Sequence, residues 1–185
     1  INEYISTFET FDHAVAAVGN TVYILTDGTL KQYTFDGSAL NFEKDIELEE
    51  DDYEVILKTT DGSLWLTGGM NDLIRIKDGA VAETYEDLDT MAVSPDGSWG
   101  ISYYVSNECK KVTFNGGSAS ASDVVFSEMD SVSYVSVDND TIYACGNAAH
   151  ESEHKVFIYN KDGVLQKTLC DAEGEGMGSI TYFTK

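Results

Sequence analysis

The chain has 185 residues, with 33 acids against 11 lysines and arginines and a formal net charge of −22. That balance argues against nucleic acid or an anionic membrane surface as a partner, because both demand basic patches. With 42% hydrophobic and 11% aromatic residues the chain reads as globular rather than as a disordered acidic tail, and no apolar run approaches the ~18 residues of a membrane span.

The stretch "EYISTFETFD" (3–12), with its strand read within residues 1–10, has the character of an outer strand belonging to a preceding repeat. The chain begins at Ile1 without a methionine, so a longer parent protein is expected. From residue 13 onward, tight-turn dipeptides separate strand-like runs in a regular series. The first unit (13–46) reads HAVAAV, TVYILT, TLKQYTF, SALNFEKDI, with turns at Gly19-Asn20 and Asp36-Gly37. The second (53–85) reads YEVILKT, SLWLTG, DLIRIK, AVAETY, with turns at Asp61-Gly62 and Asp78-Gly79. The third (90–127) reads TMAVS, SWGISYYV, CKKVTF, SDVVFS, with turns at Asp96-Gly97 and Asn115-Gly116. The fourth (132–169) reads SVSYVSV, TIYACG, KVFIYN, VLQKTL, with turns at Asn139-Asp140 and Asp162-Gly163. Residues 179–185, "SITYFTK", then read as the first strand of a following unit.

Two tight turns in each period of about 40 residues define a four-stranded antiparallel repeat, whose strands are called A to D in order. Runs such as "VYIL", "LWL" and "VFIY" are apolar on both faces, so each sheet must be covered on both sides. Sheets stacked radially supply that cover, and the expected fold is an all-β propeller of four-stranded blades, about four of them visible, within a larger propeller. A long sandwich is the runner-up.

"DGSLWLTGGMNDLIRIKDG" (61–79) resembles the repeat of bacterial two-component-regulator propellers, and "MAVSPDGSWGIS" (91–102) resembles the S-P-D-G blade start of WD40-like and TolB-like bacterial propellers. The resemblance implies a propeller fold and a bacterial sensory, secreted or cell-envelope protein. It implies no active site.

In a propeller the A–B and C–D turns share one face, and the D–A and B–C connections share the other. The second face is expected to be the acidic one. Its D–A loops are expected to hold Glu50, Asp51 and Asp52, then Asp87 and Asp89, then Glu128 and Asp130, then Asp171 and Glu173. Loops carry function more often than the scaffold does, and these acids, with Tyr53, Trp65 and Tyr104 as exposed stacking aromatics, form the candidate partner-binding set. No cofactor is expected. Calcium remains a candidate ligand, although "ELEEDD" lacks the order of a calcium hand. His150 and His154 flank "ESE" in the fourth B–C loop and are weak candidates for a metal pair. Cys109, Cys145 and Cys170 match no C-x-x-C pattern and read as three thiols.

No nucleophile elbow, phosphate loop or Cys/His pairing of fixed spacing occurs. The function expected is therefore a non-catalytic module that holds a protein, peptide or glycan on its loop face. A metal-dependent propeller hydrolase or lyase is the second reading, and a ligand-free spacer domain of a larger sensor or solute-binding lipoprotein is the third.

Overall fold

The computed structural model describes residues 14–26, 28–49, 53–68, 72–86, 88, 91–103, 108–149 and 154–170. The flanking strands expected over 1–10 and 179–185 lie outside them. The described residues hold sixteen strands and no helix. The first sheet comprises β1 (Ala14–Val18), β2 (Thr21–Thr26), β3 (Thr29–Phe35) and β4 (Leu40–Glu47). The second comprises β5 (Val55–Lys58), β6 (Leu64–Thr67), β7 (Leu73–Lys77) and β8 (Ala80–Tyr85). The third comprises β9 (Met91–Val93), β10 (Trp99–Ser102), β11 (Glu108–Phe114) and β12 (Ala119–Val125). The fourth comprises β13 (Met129–Val137), β14 (Thr141–Ala148), β15 (His154–Asn160) and β16 (Leu165–Cys170). Every sheet is an antiparallel meander in sequence order, and no strand pairs outside its own unit. These are propeller blades.

Each blade buries its faces against its neighbours, as the doubly apolar strands require. Tyr23, Leu25 and Leu30 of the first blade form one core with Leu64, Leu66, Ile74 and Ile76 of the second. Trp65, Leu73 and Tyr85 of the second pack on Met91, Val112 and Phe114 of the third. Trp99, Ile101 and Cys109 of the third meet Val132, Ile142, Phe157 and Tyr159 of the fourth. The A strands lie innermost, with β1 beside β5 and β9 beside β13.

Only two of the eight A–B and C–D turns are the two-residue type expected. One joins Val18 to Thr21, and the other joins Lys77 to Ala80. In the latter, Asp78 (φ 51°) and Gly79 (φ 72°) both take the left-handed conformation that matches a hairpin's twist. Five of the other six are wider because a side-chain oxygen takes over turn N–H groups that a tight ladder would have satisfied, and in the sixth the Ser118 hydroxyl donates to the Asn115 carbonyl. Asp36 Oδ1 accepts from the amides of Ser38 and Ala39, both at 2.9 Å. Asp138 Oδ1 accepts from Asp140 and Thr141 at 2.9 and 2.8 Å.

Among the expected boundaries that move, two bear on candidate residues. β13 begins at Met129, ahead of the run read from the sequence, because Met129 is buried (1% exposed) and anchors the strand before two register shifts. Gly146, opposite Val132, makes room for that irregular stretch, since a Cβ there would collide with the Ser131 carbonyl oxygen. β15 begins at His154, paired with Asn147, so this histidine belongs to a strand rather than to a loop.

Candidate functional site

The A–B and C–D face is built from closed turns. In "TTDGS", Asp61 accepts from Thr59 Oγ1 (2.8 Å), the Ser63 amide (3.0 Å) and Ser63 Oγ (3.0 Å). In "SPDGS", Asp96 accepts from Ser94 Oγ (2.7 Å), the Ser98 amide (2.9 Å) and Ser98 Oγ (2.7 Å). "TTDGS" and "SPDGS" therefore build one and the same turn. Asp61 also receives Arg75 Nη2 at 2.9 Å and Lys77 Nζ at 2.7 Å. Desolvation raises the pKa of Asp61, but donors from Lys77, Ser63 and Thr59 together hold the carboxyl well below the usual range. Desolvation likewise raises Asp96, and the Ser94 and Ser98 bonds again outweigh it. Arg75 bonds Glu83 through Nη1 at 3.0 Å. Glu83 is held low first by the Tyr85 hydroxyl, then by Arg75 and by the Gly117 amide of the next blade.

The same face ties each blade to its successor. Lys44 Nζ donates to the Gly79 carbonyl at 2.6 Å, and the Thr60 amide donates to the Pro95 carbonyl at 2.7 Å. Trp99 Nε1 donates to the Asn139 carbonyl at 3.3 Å, and Lys111 Nζ to the Lys161 carbonyl at 2.7 Å.

The D–A and B–C face is different. Glu49, Glu54, Glu86 and Asp130 are exposed there and Glu128 is half-buried. Asp130 lies on β13 rather than in the loop expected for it. Glu50, Asp51, Asp52, Asp87, Asp89, Tyr104, His150, Asp171 and Glu173 lie outside the described residues. Trp65 and Tyr53, expected as exposed stacking rings, are 1% and 6% exposed and belong to the core. Trp65 stacks on Tyr85 (centroids 5.8 Å apart) and tilts against Phe114 (4.7 Å), while Arg75 sits 5.5 Å over its ring. A large ring on a central strand between two blades gains more from burial than from exposure. Among the described residues no group of three His, Cys, Asp or Glu side chains is placed to hold a metal ion. Cys109 and Cys145 are buried thiols, as expected of them, and burial pushes Cys109 up to about 12.

Among the described residues, one end of an apolar hollow lies at the loop-rich face. A hollow of about 120 Å³ runs between the innermost strands of the second, third and fourth blades. Its walls include Val55, Leu57, Val93, Tyr103, Tyr134 and Ser136. Thr67, at the end of β6, and Tyr103, just after β10, place one end of the hollow at that face. The walls are mostly apolar, and among the described lining residues there is no carboxylate, imidazole, thiol or ammonium group. Tyr103 is half-buried; desolvation raises its pKa to about 12 against a smaller lowering by the Val135 amide, which donates to the hydroxyl oxygen. Sequence reading missed the hollow because its walls come from three A strands some forty residues apart. Their alternate apolar residues look like ordinary blade core, and only ring geometry turns them toward an axis.

The sequence matches no family model and no curated protein. Among solved structures the fold is similar to the hydrazine synthase of Kuenenia stuttgartiensis, with a TM-score of 0.64 at 11% identity. The likeness covers 87% of this chain and 49% of that one, so this chain spans about half of its neighbour's length. Likeness at that identity shows the fold, and the fold is a β-propeller with four-stranded antiparallel blades.

Proposed function

We propose that this chain is a non-catalytic recognition module of a bacterial cell-envelope or secreted protein, holding a protein, peptide or glycan at its D–A and B–C face. The observation that carries the reading is the axial hollow. It offers mostly apolar walls and a few hydroxyls between the innermost strands of three blades, which is the make-up of a binding cleft that orients a ligand rather than reacting with it. The turn face supplies the rigid frame, since its acids and lysines are used in turns and in ties between blades. The resemblance of 61–79 and 91–102 to bacterial propeller repeats supports the proposed setting.

A random peptide display library and a glycan array, each probed with the purified chain and with Ser136→Phe, test the reading. Ser136 lines the hollow and is half-buried, so a phenyl ring there fills the space while the blade cores stay intact. Ligands enriched on the parent chain and lost on Ser136→Phe support the reading. Enrichment that Ser136→Phe leaves unchanged overturns the hollow as the site, and no enrichment in either format overturns the module.

A further inference from the structure

We propose that the ligand of the axial hollow is a basic peptide segment that inserts a single aliphatic side chain, with lysines or arginines on either side resting on the acidic face. The proposal rests on the recognition reading above and narrows it to one class of partner.

Size and chemistry of the hollow select the inserted group. An apolar cavity of about 150 Å³ stays dry and accepts benzene, so the 120 Å³ here suits a leucine, isoleucine or valine side chain. A charged head group would lose its hydration with no counter-charge among Leu57, Val93, Tyr103, Tyr134 and Ser136, and burying an unpaired charge is prohibitive. The hydroxyl-bearing residues of the lining are Thr67, Tyr103, Tyr134 and Ser136. The few hydroxyls in an apolar cleft are the groups that can orient the peptide backbone beside the inserted side chain.

Charge selects what flanks the insertion. The chain's net charge is −22, and the two faces use their acids differently. On the turn face Asp61 is covered by Arg75 and Lys77, Asp162 lies 3.6 Å from Lys111, and Asp140 lies 3.5 Å from Lys161. On the D–A and B–C face Glu49, Glu54 and Glu86 are exposed, with Glu128 half-buried. A face with exposed acids on a chain of this net charge steers a cationic partner and repels an acidic one.

The test uses fluorescein-labelled seven-residue peptides in which a central Leu, Ala or Asp is flanked by two Lys or by two Glu, with binding read by fluorescence anisotropy on the parent chain and on Ser136→Phe. The Lys–Leu–Lys peptide is expected to bind best. Replacing its Leu by Ala should weaken it by about tenfold, the value of burying two to three methylene-sized groups incompletely. Raising sodium chloride from 50 to 500 mM should weaken it by a similar ~tenfold factor through screening. Ser136→Phe should remove the Leu-over-Ala preference; circular dichroism checks that this variant is folded, and the Leu-to-Ala comparison on the parent chain needs no variant at all. Equal binding of the Leu and Ala peptides, lost in high salt, overturns the inserted side chain and leaves only diffuse attraction. Preference for the Glu-flanked Leu peptide overturns the basic partner while the hollow remains the site of the recognition reading. If no peptide binds while glycans enriched on the array are lost on Ser136→Phe, the peptide inference fails and the recognition module stands.

Discussion

The two faces of the blade array hold acids of the same kind in different circumstances. On the turn face, Asp36, Asp61, Asp96 and Asp138 each close a turn by accepting from amides two or three residues ahead. On the loop face, Glu49, Glu54 and Glu86 point to solvent from the margins of the blades. A carboxylate that receives several directed donors does structural work, and its removal leaves those donors unmet. A carboxylate in water contributes to the field of the whole molecule and little else. The difference separates the acids that hold the fold from those that set what approaches it.

Asp61 gives the largest expected effect. Asp61→Ala removes two ion pairs and the bonds from Thr59 and Ser63. Such losses sum to about 3 kcal/mol at full value. Its side chain is 36% exposed, and screening there reduces the expectation to about 2 kcal/mol, or ~4–8 °C in Tm for a chain of this size. Urea denaturation of the variant measures it. A loss below ~0.5 kcal/mol would place Asp61 with the loop-face acids and erase the contrast between faces.

This contrast was half legible in the sequence. Turn positions could be read because Asp-Gly and Asn-Asp have few local alternatives, and the doubly apolar B and C strands demanded cover on both faces. What the sequence concealed was the width of the turns. "TTDGS" and "SPDGS" look like tight dipeptide hairpins, yet serine and threonine hydroxyls two residues either side of the aspartate open them to five residues. Trp65 was misread for a related reason. A tryptophan beside a turn suggests a surface ring, and only the Tyr85 and Phe114 rings brought over it by two blades show that it is core. His154 moved from loop to strand because its partner, Asn147, lies in a run whose polarity resembles a connection.

The second expectation concerns acid. Asp36 is held well below its usual value first by Asn41, then by the Ala39 and Ser38 amides, and Asp61, Asp96 and Glu83 are also lowered. Unfolded aspartates titrate near ~3.9, so the unfolded chain takes up protons before the folded one does. The stabilisation from these groups is whole above that value and is lost as pH falls through it toward the lower folded values. The stability gap between the parent and Asp61→Asn should therefore be widest at neutral pH and should narrow steadily as pH falls below about 4, without yet closing at pH 2, because the folded carboxyl is held well below the usual range. Urea midpoints taken across that range give the answer. A gap that stays constant to pH 2 would mean that the Asp61 charge contributes nothing beyond its shape.

The smallest effects belong to the loop face, and they decide whether its charge is diffuse or organised. Glu49→Gln and Glu86→Gln should each change stability by less than about 0.5 kcal/mol, as exposed substitutions away from any directed bond do. Their sum, with the rest of the net charge of −22, should appear instead as a general response to ions. Repulsion between exposed charges is screened within ~10 Å at 0.1 M salt, so sodium chloride should raise Tm about as well as calcium chloride at equal ionic strength. A built calcium site would behave otherwise. At a hundred times its dissociation constant calcium would add ~2.7 kcal/mol that no monovalent salt reproduces. Differential scanning calorimetry in the two salts separates these outcomes. A calcium-specific rise abolished by Glu49→Gln or Glu86→Gln would show that the loop face, like the turn face, commits individual carboxylates to directed bonds.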